Sequence, residues 1–408
     1  MNLRNMGMMT ASPSLIAFHP KTYILPMELR RLKKDWLAKR SGEEQDGEER
    51  LWIMKPPASA RGNGIKVIRN CNEIPKAARI RDSPTKSQLI VQEYIANPCL
   101  LFNGTKFDLR LYVLITSFAP LRVYLFKDGL VRFASHPYSS EEDKLADEFV
   151  HLTNYSINKK SSSYEANHDV HGQGGHKWTL KTFWKSLERV GRSVEPLQEE
   201  ITSMILTTIF SCRRPVNRLI KKHLKSRYTS FELLGFDVML DENLRPWLLE
   251  VNVSPSLRSE SWLDTTVKGR LIKDTFNLVG FQLPPNEDEV GKGFGINKQL
   301  HTFALNKAER EKQTEFGAGC DLPAEMLENL TGDDVRVLME TEDELRRIGT
   351  FERLWPCKKR KEYLRLVNEV PYYEKLTMSW EERYGGLDSR LEAIKALQSL
   401  NGQALGAS

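Results

Sequence analysis

The stretch "FELLGFDVMLDENLRPWLLEVNVSPSL", residues 231–257, constrains the fold more than any other part of the chain. Two runs of apolar β-formers flank the turn-forming "DENLRP", which predicts an antiparallel hairpin over 231–253. Yet Asp237, Glu250 and Asn252 sit among Phe, Val and Leu. A buried carboxylate without a partner is costly, so the hairpin has to supply one. Strand side chains alternate, so Glu250 and Asn252 share one face while Leu249, Val251 and Val253 share the other. If the turn pairs Asp241 with Pro246, the same register sets Asp237 opposite Glu250. Two carboxylates and an amide oxygen on one face form a ligand set for a hard Mg²⁺ that also holds waters or phosphate oxygens. Without a cation the carboxylates repel, and one has to stay protonated. A solvent-facing strand with incidental polar residues explains any one of the three, but explains the set less well.

A metal of this kind is usually accompanied by a nucleotide. "KPPASARGNGI", 55–65, joins two predicted strands through small residues whose backbone N–H groups can approach phosphates, with Lys55 and Arg61 for charge. It is not a Walker A loop, because G-x-x-x-x-G-K-[ST] is absent; on the residues alone, a flexible hairpin fits equally well. "LIVQEYI", 89–95, reads either as an ordinary core strand or as an extended segment offering backbone groups to an adenine edge. "KFDLRLYV" alternates Lys106, Asp108 and Arg110 against Phe107, Leu109 and Leu111, so one face is either exposed or lines a polar cleft.

Along the chain, residues 51–133 read as strands, including a hairpin at the Asp-Gly of "FKDGLVRF". Helical spacing takes over from 178, with Trp178, Phe183, Trp184 and Leu187 in a first helix and a second after Pro196. A helix near 262–279 follows the hairpin. Residues 281–320 are polar and Gly-rich and read as a linker. "DDVRVLMETEDELRRIG" is helical, with Val335, Leu338, Met339 and Leu345 on one side. The expected organisation is a partial N-terminal segment (1–50), a central subdomain (51–100), a C-terminal subdomain with the metal site (101–280), the linker, and a helical tail (321–400). At 408 residues and 40% hydrophobic composition the chain can bury a sizeable core. Its five scattered cysteines argue for reduced thiols rather than a disulfide framework. No apolar run approaches the length a membrane helix needs.

The net charge of +6 is unevenly spread. Between Ile201 and Phe231 there is no acid, while Arg213, Arg214, Arg218, Lys221, Lys222, Lys225 and Arg227 all fall there; "CKKRK", 357–361, is a second cluster. A solvated helix face explains either cluster alone, and the two together point to an acidic partner. No nucleic-acid-binding motif stands out, so an acidic protein is favoured over nucleic acid.

"WIMKPPASARGNGI", "LIVQEYI", "KFDLRLYV", "DGLVRFAS", "HLTNYSINK", "GHKW", the 231–257 hairpin and "LDTTVKGRLIKDTFNLVG", in this order, resemble the tubulin-tyrosine-ligase-like family of ATP-grasp carboxylate–amine ligases, in its polyglutamylase branch. The resemblance covers roughly residues 20–385. It implies an α/β ATP-grasp fold, two small sheets clasping ATP, with a helical C-terminal appendage. It places Lys55, Arg61 and Gly62 at the phosphates, Gln92, Glu93, Tyr94 and Ile95 at the adenine, and Lys106, Phe107, Asp108, Thr153 and Asn154 elsewhere on the nucleotide. Asp237, Glu250 and Asn252 fall on the family's Mg²⁺ ligands. Arg132, Ser156 and Lys177 match positions that hold the incoming L-glutamate, with Arg132 and Lys177 in the catalytic set. For these three the residues alone favour a surface role. The implied activity is ATP-dependent glutamylation of acidic tubulin tails on microtubules by a monomeric enzyme. Its location would be cytoplasmic and cytoskeletal, with cilium and basal body as candidates.

Two departures temper the resemblance. Family enzymes carry an N-terminal subdomain before the "FHPKTYILP"-like segment, and only about 17 unrelated-looking residues precede it here. The expectation is a truncated N-terminal layer. The basic C-terminal region is also modest for microtubule binding. Two alternatives therefore stay open: a ligase of the same fold adding another amino acid, or a catalytically impaired microtubule-binding fragment. A protein kinase fits poorly, since H-R-D and D-F-G motifs are missing.

Overall fold

A computed structural model describes residues 17–38, 50–56, 62–79, 88–167, 169, 171–223, 230–280, 307–316, 321–366 and 370–405. Of the expected linker, residues 281–306 and 317–320 lie outside that set, as do residues 1–16, on which the truncation expectation falls, and the rest forms helix α5 (Lys307–Phe316).

The described residues build two antiparallel sheets. The smaller has the order β1 (Thr22–Leu25), β4 (Leu89–Glu93), β2 (Trp52–Lys55), β3 (Lys66–Ile68). Alternation in β2 sends Trp52 and Met54 outward, where α1 (Leu29–Ala38) covers them and Trp36 stacks on Trp52 at 5.1 Å between ring centroids. Ile53 and Lys55 are left facing inward.

The larger sheet runs β10 (Phe351–Trp355), β6 (Leu121–Phe133), β5 (Phe107–Phe118), β8 (Glu232–Leu240), β9 (Pro246–Val253), with β7 (Lys177–Thr179) also pairing β6. Period-two patterning in β5 explains its layers. Phe107, Leu109, Leu111, Val113 and Ile115 share the main core with side chains of α2 (Leu180–Arg189) and α3 (Glu195–His223). On the other face, Tyr112 and Leu114 pack against α4 (Trp262–Val279), and Asp108 lines a cleft opposite the small sheet.

Several elements depart from the pattern read off the sequence. Asp128-Gly129 is not a turn but lies inside β6. Glycine is required there because a Cβ would stand 2.5 Å from the Arg110 carbonyl oxygen. Trp178 belongs to β7 rather than to the first helix. The 321–400 region is no detached helical appendage. Within it, α6 (Gly332–Arg346), α7 (Tyr372–Tyr384) and α8 (Leu387–Leu405) flank β10, which is an edge strand of the large sheet. Leu354, Trp355, Leu364 and Met378 are part of the main core. Helix α6 also turns Glu342 and Glu344 inward. Glu344 meets Arg122 at 3.1 Å and accepts from the Thr116 hydroxyl at 3.0 Å, and Glu342 meets Arg390 at 2.7 Å. Acids on a buried helix face are tolerated because each has a cationic or hydrogen-bonding partner.

The candidate nucleotide cleft

The hairpin forms with Asp237 directly opposite Glu250, as the alternation predicts. The turn itself pairs Leu240, not Asp241, with Pro246, and a bulge between Asp237 and Val238 absorbs the one-residue offset. The bulge also turns Leu249 to the cleft face beside Glu250, where strict alternation put it on the far side. Asp241 is used to shape the turn: its carboxylate accepts from the Asn243 and Arg245 amides and from the Trp247 indole at 2.9–3.0 Å.

Between the sheets lies an open cleft, about 670 Å³ with its mouth included. The small sheet contributes Ile53, Lys55 and the run Gln92 to Ile95; the large sheet contributes Lys106, Asp108, Arg132, Asp237, Met239, Leu249 and Glu250; residues 151–154 close one side. Lys55 Nζ donates to Gln92 Oε1 at 2.7 Å, and Gln92 donates to the Thr22 hydroxyl at 2.9 Å. Burial lowers the pKa of Lys55, while Glu250 and Asp237 act to keep it charged. Glu93 pairs with Arg50 at 2.5 Å.

Arg132 and Arg110 dominate the electrostatics of the far wall. Arg110 grips Asp237 through Nε at 2.5 Å and a terminal nitrogen at 3.0 Å. Arg132 reaches Asp237 at 2.8 Å and takes Asp108 in a two-pronged contact. Burial alone would raise the pKa of Asp237; the two guanidiniums overcome it and hold the carboxyl far below the usual range. Glu250 moves the other way: burial and the neighbouring Asp237 charge raise its pKa.

That asymmetry tests the predicted metal set. Two facing carboxylates, one of them pushed toward protonation, form the arrangement a divalent cation relieves. A carboxylate offers about four lone-pair positions, and the arginine contacts on Asp237 use three of them. Asn252 sits beside the pair, its amide 3.2 Å from Glu250 Oε1. The donors are all hard oxygens, so the residues present fit Mg²⁺.

Other expected site residues are distributed less evenly. Thr153 and Asn154 line the cleft. Gly62, at φ +80°, packs so closely on this segment that a Cβ would lie 2.8 Å from Asn154 Oδ1. Arg61 lies outside the described residues. Phe107 does not face the cleft; it is buried in the core against Phe102, Phe133 and Phe183. Lys177 pairs across the strands with Arg132, just beyond the cleft, and half-buried Ser156 sits in the adjacent single helical turn Tyr155–Asn158. Lys177 Nζ is 2.7 Å from Asp264 and 4.1 Å over the Tyr155 ring. Burial lowers its pKa and Asp264 opposes the shift. Asp264 is set in place by Ser261, the N-cap of α4, and by Lys268 at 2.9 Å.

Sequence reasoning assigned no role to Arg110, although the alternation placed it on the charged face, and it missed His151, Met239 and Leu249. Met239 follows Asp237 at period two and was findable. Leu249 depends on the bulge, and His151 carried no signal of its own.

A family model described as "Tubulin-tyrosine ligase family" matches residues 1–290. Human tubulin monoglutamylase TTLL4 is 41% identical over 399 residues, covering 94% of this chain and 32% of its own length. Caenorhabditis elegans tubulin polyglutamylase ttll-4 is 38% identical over 386 residues, covering 93% of this chain and 60% of its own length. Mouse tubulin polyglutamylase TTLL5 is 34% identical over 358 residues, 83% of this chain and 26% of its own length. The chain thus spans about a third of the human TTLL4 relative. With the two-sheet cleft and its facing carboxylates in place, the match over most of the sequence means that the chain belongs to the tubulin-tyrosine ligase family.

Proposed function

We propose that this chain is the catalytic body of an ATP-dependent glutamate ligase acting on the acidic tails of tubulin. The observation that carries the reading is the cleft, where Lys55 of the small sheet faces Lys106 and the Asp237–Glu250 pair of the large one, with Asn252 beside that pair. Relatives named as tubulin mono- and polyglutamylases support the choice of substrate.

On this reading Gln92 to Ile95 receive the adenine, with Glu93 contributing backbone because its carboxylate is held by Arg50. Lys55, Lys106, Arg61, Gly62, Thr153 and Asn154 receive the ribose and phosphates, and Asp108 orients Arg132. Asp237, Glu250 and Asn252 hold Mg²⁺, which when bound neutralises and aligns phosphate oxygens. The acceptor glutamate's side-chain carboxylate attacks the terminal phosphorus and ADP leaves, which gives an acylphosphate. The amine of free glutamate then attacks the acyl carbon, phosphate leaves and the amine loses a proton. Lys55 and Lys106 stabilise the charge that builds on the transferring phosphoryl group. Arg132 takes the α-carboxylate of the incoming glutamate through its remaining terminal nitrogen, with Asp108 and Asp237 holding the guanidinium in place. Lys177, paired with Arg132, and Ser156, in the helical turn beside Lys177, complete the amino-acid end.

The acidic partner meets the exposed Arg214, Arg218 and Lys222 of α3. The second basic cluster is less available: buried Arg360 pairs with Glu352 and Glu199, and Lys361 with Glu382. No helix among the described residues is long and apolar enough to cross a membrane. A monomer working on cytoskeletal microtubules, in cytoplasm or cilium, completes the proposal.

Radiolabelled glutamate, glycine and tyrosine, offered with microtubules and Mg-ATP, test it. Glutamate alone should be incorporated, and Glu250→Gln should abolish incorporation. Incorporation of another amino acid, or none by the unmodified chain, overturns the proposal.

A further inference from the structure

A buried polar chain leads from the cleft into the body through residues whose combined role the chemistry above leaves open. Lys106 Nζ donates to the Tyr94 hydroxyl at 3.0 Å and stands 4.3 Å over the Tyr94 ring. The Tyr94 oxygen is 2.9 Å from His151 Nδ1, and His151 Nε2 is 3.1 Å from the Lys144 carbonyl oxygen. A carbonyl only accepts, so Nε2 carries the ring proton and Nδ1 is left as an acceptor. The Tyr94 hydroxyl donates to His151 in this arrangement, with the Tyr138 hydroxyl, itself donating to the Ala96 carbonyl at 2.7 Å, as the competing acceptor; donation to His151 turns the Tyr94 lone pairs toward the Lys106 ammonium. All three side chains are buried at the wall of the cleft. Burial, reinforced by the Lys106 charge, lowers the pKa of His151 to about 4, which keeps the ring neutral and the polarity of the chain fixed.

We infer that His151 is a positioning residue: by fixing the direction of the Tyr94 hydroxyl, it aims the Lys106 ammonium at an anionic group of the bound nucleotide. The inference rests on the reading of the cleft as the nucleotide site. Histidine suits the task because it presents an acceptor and a donor on opposite edges of one rigid ring. Asparagine can reproduce the Nδ1 acceptor; alanine cannot.

The test is calorimetric binding of Mg-ATP to the intact chain, with Lys106→Met as reference. His151→Ala should weaken binding by about threefold to tenfold, the scale of one neutral hydrogen bond. His151→Asn should recover most of that loss. In a Tyr94→Phe background, which breaks the chain at its middle by removing one oxygen, His151→Ala should add almost nothing. Wild-type affinity in His151→Ala overturns the inference. So does an Asn variant as weak as the Ala variant, or a full additional loss in the Tyr94→Phe background; either marks His151 as packing only. Should His151→Ala fail to fold, Tyr94→Phe and His151→Asn decide alone: unchanged affinity in Tyr94→Phe refutes the chain. If Lys106→Met binds Mg-ATP as well as the wild type, the nucleotide reading of the cleft fails, and this inference with it.

Discussion

Glu374 ties the C-terminal region to the body of the molecule, and removing it should unfold far more than its own helix. The residue is 0% exposed on α7. Its carboxylate pairs with Arg213 of α3 and accepts from the Leu121 amide at 2.9 Å and the Trp355 indole at 2.8 Å. Glu374→Leu leaves a buried guanidinium without its counter-charge, at about 3–5 kcal/mol. It also orphans two buried neutral donors, each costing about 1–3 kcal/mol. The combined loss is at least about 5 kcal/mol, a large share of the 5–15 kcal/mol that holds a typical domain. In urea titrations followed by tryptophan fluorescence, Glu374→Leu should lose at least about 5 kcal/mol of unfolding free energy, with a correspondingly lower midpoint. Adding Arg213→Met removes the stranded charge, so the double variant should regain about 2 kcal/mol relative to Glu374→Leu alone. A Glu374→Leu protein within about 1 kcal/mol of wild type, or strictly additive losses, would refute this account.

Further predictions concern the cleft. Burial, with the nearby Lys55 charge, lowers the pKa of Lys106 to about 7 in the free protein, and phosphates favour its charged form. Mg-ATP affinity should therefore be full below pH 7 and fall above it by up to about tenfold per unit, with proton uptake on binding. Calorimetry in buffers of different ionisation enthalpy reads this uptake, and Lys106→Met should abolish the slope. Gly62→Ala imposes strain at φ +80° and drives a methyl to within 2.5 Å of Ile157 and 2.8 Å of Asn154. It should cost about 1–3 kcal/mol and raise KM for ATP, measured by thermal melts and initial rates. Asp264→Asn removes the counter-charge of Lys177 and should raise KM for glutamate at least severalfold while KM for ATP stays within twofold, a split that steady-state kinetics will show.

The hairpin register was legible because a one-residue slip would have sent Asp237 and Glu250 to opposite faces. The bulge that carries Leu249 into the cleft was not, since an inserted residue leaves no mark on composition. Gly129 misled for a related reason: Asp-Gly is a strong turn signal, and only the backbone of β5 lying against it explains why glycine stands in mid-strand. "FERLW" looked like part of a tail because its partner strand lies more than 200 residues earlier, at Val123–Phe126. Helix α6 hid its inward face in the same way, since Glu342 and Glu344 find their cations only after the chain has folded. Phe107 shows the limit of carrying a motif over residue by residue: it stands between two cleft residues, yet the pleat turns it into the core.

The connection between the two sheets has a mechanical consequence. Just past the cleft-lining run Gln92 to Ile95, the Cys99 amide bonds to the Leu240 carbonyl and the Glu242 amide to the Asn97 carbonyl, both at 2.9 Å, beside the Pro98–Asp241 bridge. Backbone bonds of this kind tolerate little stretching, so this seam acts as the spine of a book. Opening rotates the small sheet about it, and displacement grows with distance from the spine. Such a rotation would displace Ile95, two residues from Asn97, little, and Lys55, on the neighbouring strand β2, more. On the proposed reading of the cleft, the base would then lie at the pivot, and rotation about the seam would act mainly at the end that receives the phosphates.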